Sequence, residues 1–189
     1  MDALEAIFAR RSSGRLLEPG PTDDDITTML RAAAAAPDHK TLRPWRFFVL
    51  AGAAKAAFGE VLAAAYDSRC SAAGVPPDAA ARHKELTKLG RAPLVIVTAC
   101  HVTPGFLPLT DQLGAVDAAT QNLLLAATAL GYGSIWRTGE PAYDPTVKAA
   151  LGLDDTDHIV GFVYLGTLAA TPPPNEPTLD GVVTHWQPA

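Results

Sequence analysis

A central β-sheet flanked by helices, of α+β or α/β type, is what this sequence predicts, and three observations predict it. About four short runs are rich in β-branched and aromatic residues, and they are interspersed among longer helical patterns. One of these runs, Pro93 to Cys100, is apolar on both faces, as a strand covered on both sides would be. The composition is 48% hydrophobic and 19% charged over 189 residues, which suits one domain with a substantial core.

Each element follows from local chemistry. Asp2 to Arg11 carries Leu4, Ile7 and Phe8 at helical spacing and runs into the turn Arg10-Arg11-Ser12-Ser13-Gly14. Thr22 and three aspartates form an N-cap and acidic first turn for a helix that stops before Pro37. Pro44 to Leu50 reads as a strand, Ala53 to Ala73 as a helix, and a more polar helix runs from Asp78 towards Leu89 after the Pro76-Pro77 break. Pro93 to Cys100 is the buried strand, and Thr103 to Pro108 a loop. Asp111 to Leu130 is a long helix, apolar nearly all round, with small residues at Gly114, Ala115, Ala118 and Ala119. It belongs in the middle of the fold or in a subunit interface. Gly131 caps it. Gly133 to Arg137 is a short strand, Asp144 to Leu151 a helix and His158 to Leu165 the last clear strand. The proline-rich tail beyond has neither period and reads as an extended arm or a disordered end.

Composition also excludes functions. The net charge of −5 and the lack of any basic cluster beyond Arg10-Arg11 argue against a nucleic-acid surface. The acidic start without an apolar run does not read as a signal peptide, and no stretch approaches the length of a membrane span, so the cytoplasm is expected. Cys70 and Cys100 are solitary and read as reduced thiols.

Three segments could carry chemistry. Arg10-Arg11-Ser12 combines two guanidiniums with a hydroxyl, a set that can grip a phosphate. On spacing alone, two arginines complementing a helix dipole is the commoner arrangement. Pro37-Asp38-His39-Lys40, with Pro44-Trp45 beyond, is either a ligand-presenting loop or a surface turn. Trp136-Arg137-Thr138-Gly139 ends a strand with a flat ring, a fixed charge and a hydroxyl, which suits a ligand or a core Trp beside a surface Arg. Gly131-Tyr132-Gly133 follows a helix and precedes a strand, so it fails as a dinucleotide fingerprint. His39, His83, His101, His158 and His185 show no metal-ligand spacing, and neither a GxSxG nor an HExxH motif occurs. With no nucleophile or acid–base set in evidence, a cofactor is expected to carry any chemistry.

These segments, in this order, resemble the nitroreductase family of FMN-dependent oxidoreductases, and its small bacterial NAD(P)H-using members in particular. The matching stretches are Met1 to Glu5, Arg10-Arg11-Ser12, Ala36 to Lys40, Pro44-Trp45, Gly133 to Gly139 and Ile159 to Gly166. The resemblance implies an α+β fold with a mixed central sheet of about four to five strands, in an intertwined homodimer with two FMN sites between the subunits. It implies one domain over 1–168 and a proline-rich arm over 169–189. Arg10, Arg11 and Ser12 would bind FMN, with Trp136, Arg137 and Thr138 on the same subunit's side and Pro37, His39 and Lys40 arriving from the other subunit. No side chain would be catalytic. Hydride from NADH or NADPH would pass through flavin N5 in a ping-pong cycle to a nitroaromatic, quinone or similar small acceptor. Another flavin reaction on the same scaffold, or a non-enzymatic FMN-binding or redox-responsive protein, is the alternative. The chain departs from larger members at Gly14, where those place a Lys or Arg near the flavin pyrimidine, and Arg15 is the next cation. Ala35 is smaller than the basic residue that the resemblance to the small bacterial members implies at that position.

Overall fold

The computed structural model describes residues 1–170, 172–173 and 177–188; residues 171, 174–176 and 189 of the expected arm lie outside the described residues. Six helices and five strands follow one another among the described residues. The helices are α1 (Ala3–Ala9), α2 (Asp23–Ala34), α3 (Ala53–Ala72), α4 (Ala79–Thr87), α5 (Leu109–Ala129) and α6 (Pro145–Ala150). The strands are β1 (Leu16–Leu17), β2 (Trp45–Ala51), β3 (Leu94–Cys100), β4 (Gly133–Arg137) and β5 (His158–Leu168). The α+β expectation holds.

Side-chain caps fix where most helices begin. Asp2 and Glu5 form a reciprocal capping box at α1, and Thr22 and Asp25 form another at α2. Asp78 and Asp144 accept from the first-turn N–H groups of α4 and α6. α1 stops at Ala9, because Arg10 has already turned to an extended ψ of 125°.

β5 is the hub of the sheet and β3 its buried centre. β3 pairs with β2 on one side and β5 on the other, and all seven of its residues are buried. β4 and β1 also pair with β5. Among the described residues the expected mixed sheet resolves into four antiparallel strand pairs, with parallel character at the bridge between Ser12 and Ser134. β5 extends three residues past the Leu165 end that its pattern suggests, because Gly166 to Leu168 find partners in Gly133, Leu17 and Leu16. Two-residue β1 has no local strand signal, and only this pairing defines it.

Strand alternation divides the core in two. Val95 and Val97 join Leu62, Phe58, Phe162 and Tyr164 under α3. Leu94 and Ile96 join Met29, Ala33, Leu123 and Leu124 under α2 and α5. One face of α5 therefore packs against the middle of the sheet. α1 behaves differently. Its apolar stripe faces outward, with Leu4, Ile7 and Phe8 exposed by 63%, 46% and 54%, and only Ala6 is buried.

A buried carboxylate ties the end of β3 to the start of β5. Asp157 accepts from the N–H groups of Val102 (2.9 Å) and Asp154 (3.1 Å) and lies 3.1 Å from His101 Nδ1. Burial opposes its ionisation, but these partners together outweigh burial and hold its pKa below the ordinary 3.8. A depressed folded pKa gives stability that is complete above the unfolded value and is lost as pH falls through the folded one. Asp157→Asn should therefore lower stability at neutral pH and flatten the fall in stability below about pH 4, as read by thermal melts across an acid series.

Candidate functional site

The turn after α1 lies against the end of β4. Ser13 N–H donates to the Ser134 carbonyl at 2.9 Å, next to the Ser12–Ser134 bridge. This contact brings two segments more than 120 positions apart into one open cleft of about 310 Å³. Arg10, Ser12, Trp136 and Thr138 line it, together with Gln121 and Leu124 from α5. Two of the three segments singled out in the sequence thus share a site.

Their neighbours do not all point there. Arg11 folds back on the helix end, its Nη1 donating to the carbonyls of Phe8 and Arg10 at 2.7 Å each, so the dipole-capping reading applies to this arginine. Trp136 and Arg137, adjacent on β4, project to opposite faces of the sheet. Trp136 Nε1–H donates to the Val160 carbonyl at 3.2 Å, while the Arg137 guanidinium sits 6.0 Å from the Tyr164 ring centroid. Arg137 also reaches the turn: a Cβ on Gly14 would lie 3.3 Å from its Nη2. The cation beside Gly14 is therefore Arg137, whereas Arg15 is exposed and its carbonyl accepts from Ala169 N–H.

The third segment stands apart from this cleft within the chain. His39 and Lys40 lie in a short 3-10 turn (His39–Thr41), with His39 Nδ1 3.4 Å from Asp111 and Lys40 Nζ 5.5 Å from the Phe106 ring centroid. Pro37, His39 and Lys40 are all exposed. Lys40, Thr41 and Arg43 adopt positive φ values of 57°, 57° and 50°, and Asp38 accepts from Arg43 N–H at 2.6 Å. Non-glycine residues rarely hold such angles unless their surroundings impose them.

Sequence reasoning missed Gln121 and Leu124. Gln121 is an exposed amide on a mostly apolar helix, and that was the available signal. Leu124 gave none, being one apolar residue among many.

The cleft fits a flat, phosphate-bearing cofactor. A guanidinium, two hydroxyls and an amide converge on it, while Trp136 and Leu124 supply apolar walls. Ser134 Oγ, buried beside it, has no hydrogen-bond partner among the described residues. The position of Trp136 depends on the lack of a side chain on β5: a Cβ at Gly161 would lie 2.1 Å from Trp136 Nε1 and 3.0 Å from the Arg137 carbonyl. Gly161→Ala should displace the indole at a cost of about 1–3 kcal/mol, seen as a lower melting temperature with altered tryptophan emission.

Comparison with known proteins places this geometry in context. The sequence model of the nitroreductase family matches residues 7–167. The Escherichia coli (strain K12) protein named "Putative NAD(P)H nitroreductase YdjA" is 39% identical over 189 residues, covering 98% of this chain and 100% of that protein. A crystal structure described as "Nitroreductase with Bound FMN", from Bacteroides fragilis NCTC 9343, superposes with a TM-score of 0.73 at 25% identity, covering 99% of this chain and 100% of that one. The nitroreductase-like family protein from Bacillus cereus superposes with a TM-score of 0.83 at 21% identity, covering 99% and 97%.

Proposed function

The chain belongs to the nitroreductase family, and on that premise we propose that it is an FMN-dependent NAD(P)H oxidoreductase that reduces a nitroaromatic, quinone or similar small acceptor. The observation that carries this reading is the convergence of Arg10, Ser12, Gln121 and Thr138 on the cleft walled by Trp136 and Leu124. Bound FMN would supply the redox chemistry, accepting hydride at N5 from NADH or NADPH and returning it to the acceptor in a ping-pong cycle.

The chain's own residues bind and orient. Arg10 offers a fixed positive charge and forked donors to the phosphate. The Ser12 and Thr138 hydroxyls and the Gln121 amide add hydrogen bonds around it, and the Trp136 ring gives a flat wall. No acid–base pair is required, in keeping with a cleft whose polar lining is one guanidinium, two hydroxyls and one amide.

The same reading makes the protein a cytosolic homodimer in which the partner's turn, bearing Pro37, His39 and Lys40, completes each site. The outward stripe of Leu4, Ile7 and Phe8, beside an apolar groove of about 370 Å³ between α1, α2 and α5, supports that arrangement. No helix among the described residues is long and apolar enough to cross a membrane. Phe8→Asp is expected to shift sedimentation towards the monomer with the fold retained. A flavin-bound monomer would remove the shared-site reading.

Steady oxidation of NADH or NADPH by the FMN-loaded protein, dependent on menadione or a nitroaromatic, tests the activity. Tight FMN binding without donor turnover would instead identify a flavin-binding module. A chain that gains no flavin absorbance on FMN addition would overturn the reading.

A further inference from the structure

Behind β4, on the face away from Trp136, lies a second, polar cleft of about 240 Å³. Lys84 and Arg91 line it together with Arg137 and the loop after Thr138, and Tyr164, only 4% exposed, lies at the floor. Four cations line the cleft against two carboxylates, and both carboxylates are already engaged. Glu85 lies 2.5 Å from Lys88 Nζ, and Glu140 lies 3.4 Å from Arg69, which is not among the cleft's lining residues. Lys84, Arg91 and Arg137 have no carboxylate partner among the described residues.

We propose that this cleft is a phosphate-monoester subsite, with Arg91 and Arg137 gripping the phosphate oxygens and Lys84 closing the charge from the rim. An excess of two positive charges matches a dianion, and paired guanidinium forks suit phosphate oxygens better than a lone ammonium does. The Tyr164 hydroxyl adds a donor at the floor. Burial raises the pKa of this phenol while Arg91 and Arg137 pull it back, so both guanidiniums act on it and it keeps its proton at neutral pH. Thr138 lines both clefts, so the subsite adjoins the proposed flavin site without sharing Arg10 or Ser12. Two sources carry this chemistry: the 2′-phosphate of NADPH, which rests on the proposed function above, and a free phosphate or phosphorylated metabolite, which does not.

The test titrates inorganic phosphate and adenosine 2′,5′-bisphosphate into the FMN-loaded protein by calorimetry, and repeats the phosphate titration without FMN. Variants Arg91→Gln and Lys84→Gln lie outside the flavin cleft, so their FMN affinity should match the wild type and report that they are folded. The expected result is at least tenfold weaker phosphate binding in Arg91→Gln, a smaller loss in Lys84→Gln, and wild-type phosphate binding in Arg10→Ala. Phosphate affinity unchanged by Arg91→Gln, or lost in Arg10→Ala, would overturn the subsite, the second because phosphate would then be entering the flavin cleft. A rise in KM for NADPH but not NADH in Arg91→Gln identifies the donor as the source. A loss of phosphate affinity with both KM values unchanged identifies free phosphate. If the chain binds no FMN, the function fails while the titration without FMN still decides the subsite.

Discussion

Replacing Arg10 and Ser12 together by Ala is expected to weaken FMN binding by about 3–5 kcal/mol, from hydrogen bonds to a charged group worth roughly 1.5–3 kcal/mol for Arg10 and somewhat less for Ser12. At about 1.4 kcal/mol per factor of ten, that is a loss of roughly two to three and a half decades in the dissociation constant. Both side chains line the cleft, and Ser12 sits at the bridge to Ser134, so truncation removes contacts without disturbing a core position. Quenching of flavin fluorescence on titration measures the change. Arg11→Ala is the internal control: its guanidinium caps the end of α1, so it should lower thermal stability and leave flavin affinity near the wild-type value. A double variant that binds FMN as tightly as the wild type would remove Arg10 and Ser12 from the site.

The largest stability effect is expected at Leu124. This side chain is 3% exposed and packs with Met29, Ile96, Leu123 and Val163. Leu124→Glu would place a carboxylate against these apolar side chains, with Arg10 the cation that lines the same cleft. A buried charge that finds no partner costs on the order of 3–5 kcal/mol, a large share of the 5–15 kcal/mol that holds a domain folded. Loss of the cooperative melt at neutral pH is the expected outcome. Partial recovery at low pH, where the carboxyl is protonated, would show that charge rather than shape is responsible. Substitution at Leu124 therefore reports on the core, and the outward-facing Phe8 is the better probe of association.

Sequence patterning made most elements legible because they rest on local causes. Asp2, Thr22, Asp78 and Asp144 announce their helices through caps that span three residues or fewer. β3 announces itself by carrying apolar residues on both faces, as a strand covered on both sides does. What escaped was set at long range: β1 exists because β5 pairs with it, and β5 runs to Leu168 for the same reason.

By itself, then, spacing along the chain determined a helix-flanked sheet and the order of its helices and strands, while the choice of α+β and of a flavin as ligand came from the resemblance of its motifs to the nitroreductase family. The tertiary structure decided the partnerships. Pairing of the Ser12 turn with Ser134 put Arg10 and Ser12 beside Trp136 and Thr138. Strand pleating sent Trp136 and Arg137 to opposite faces, and the missing side chain at Gly14 let the Arg137 guanidinium lie against the turn. Such placements depend on which segments meet in space and which face each residue takes there, and spacing along the chain encodes neither.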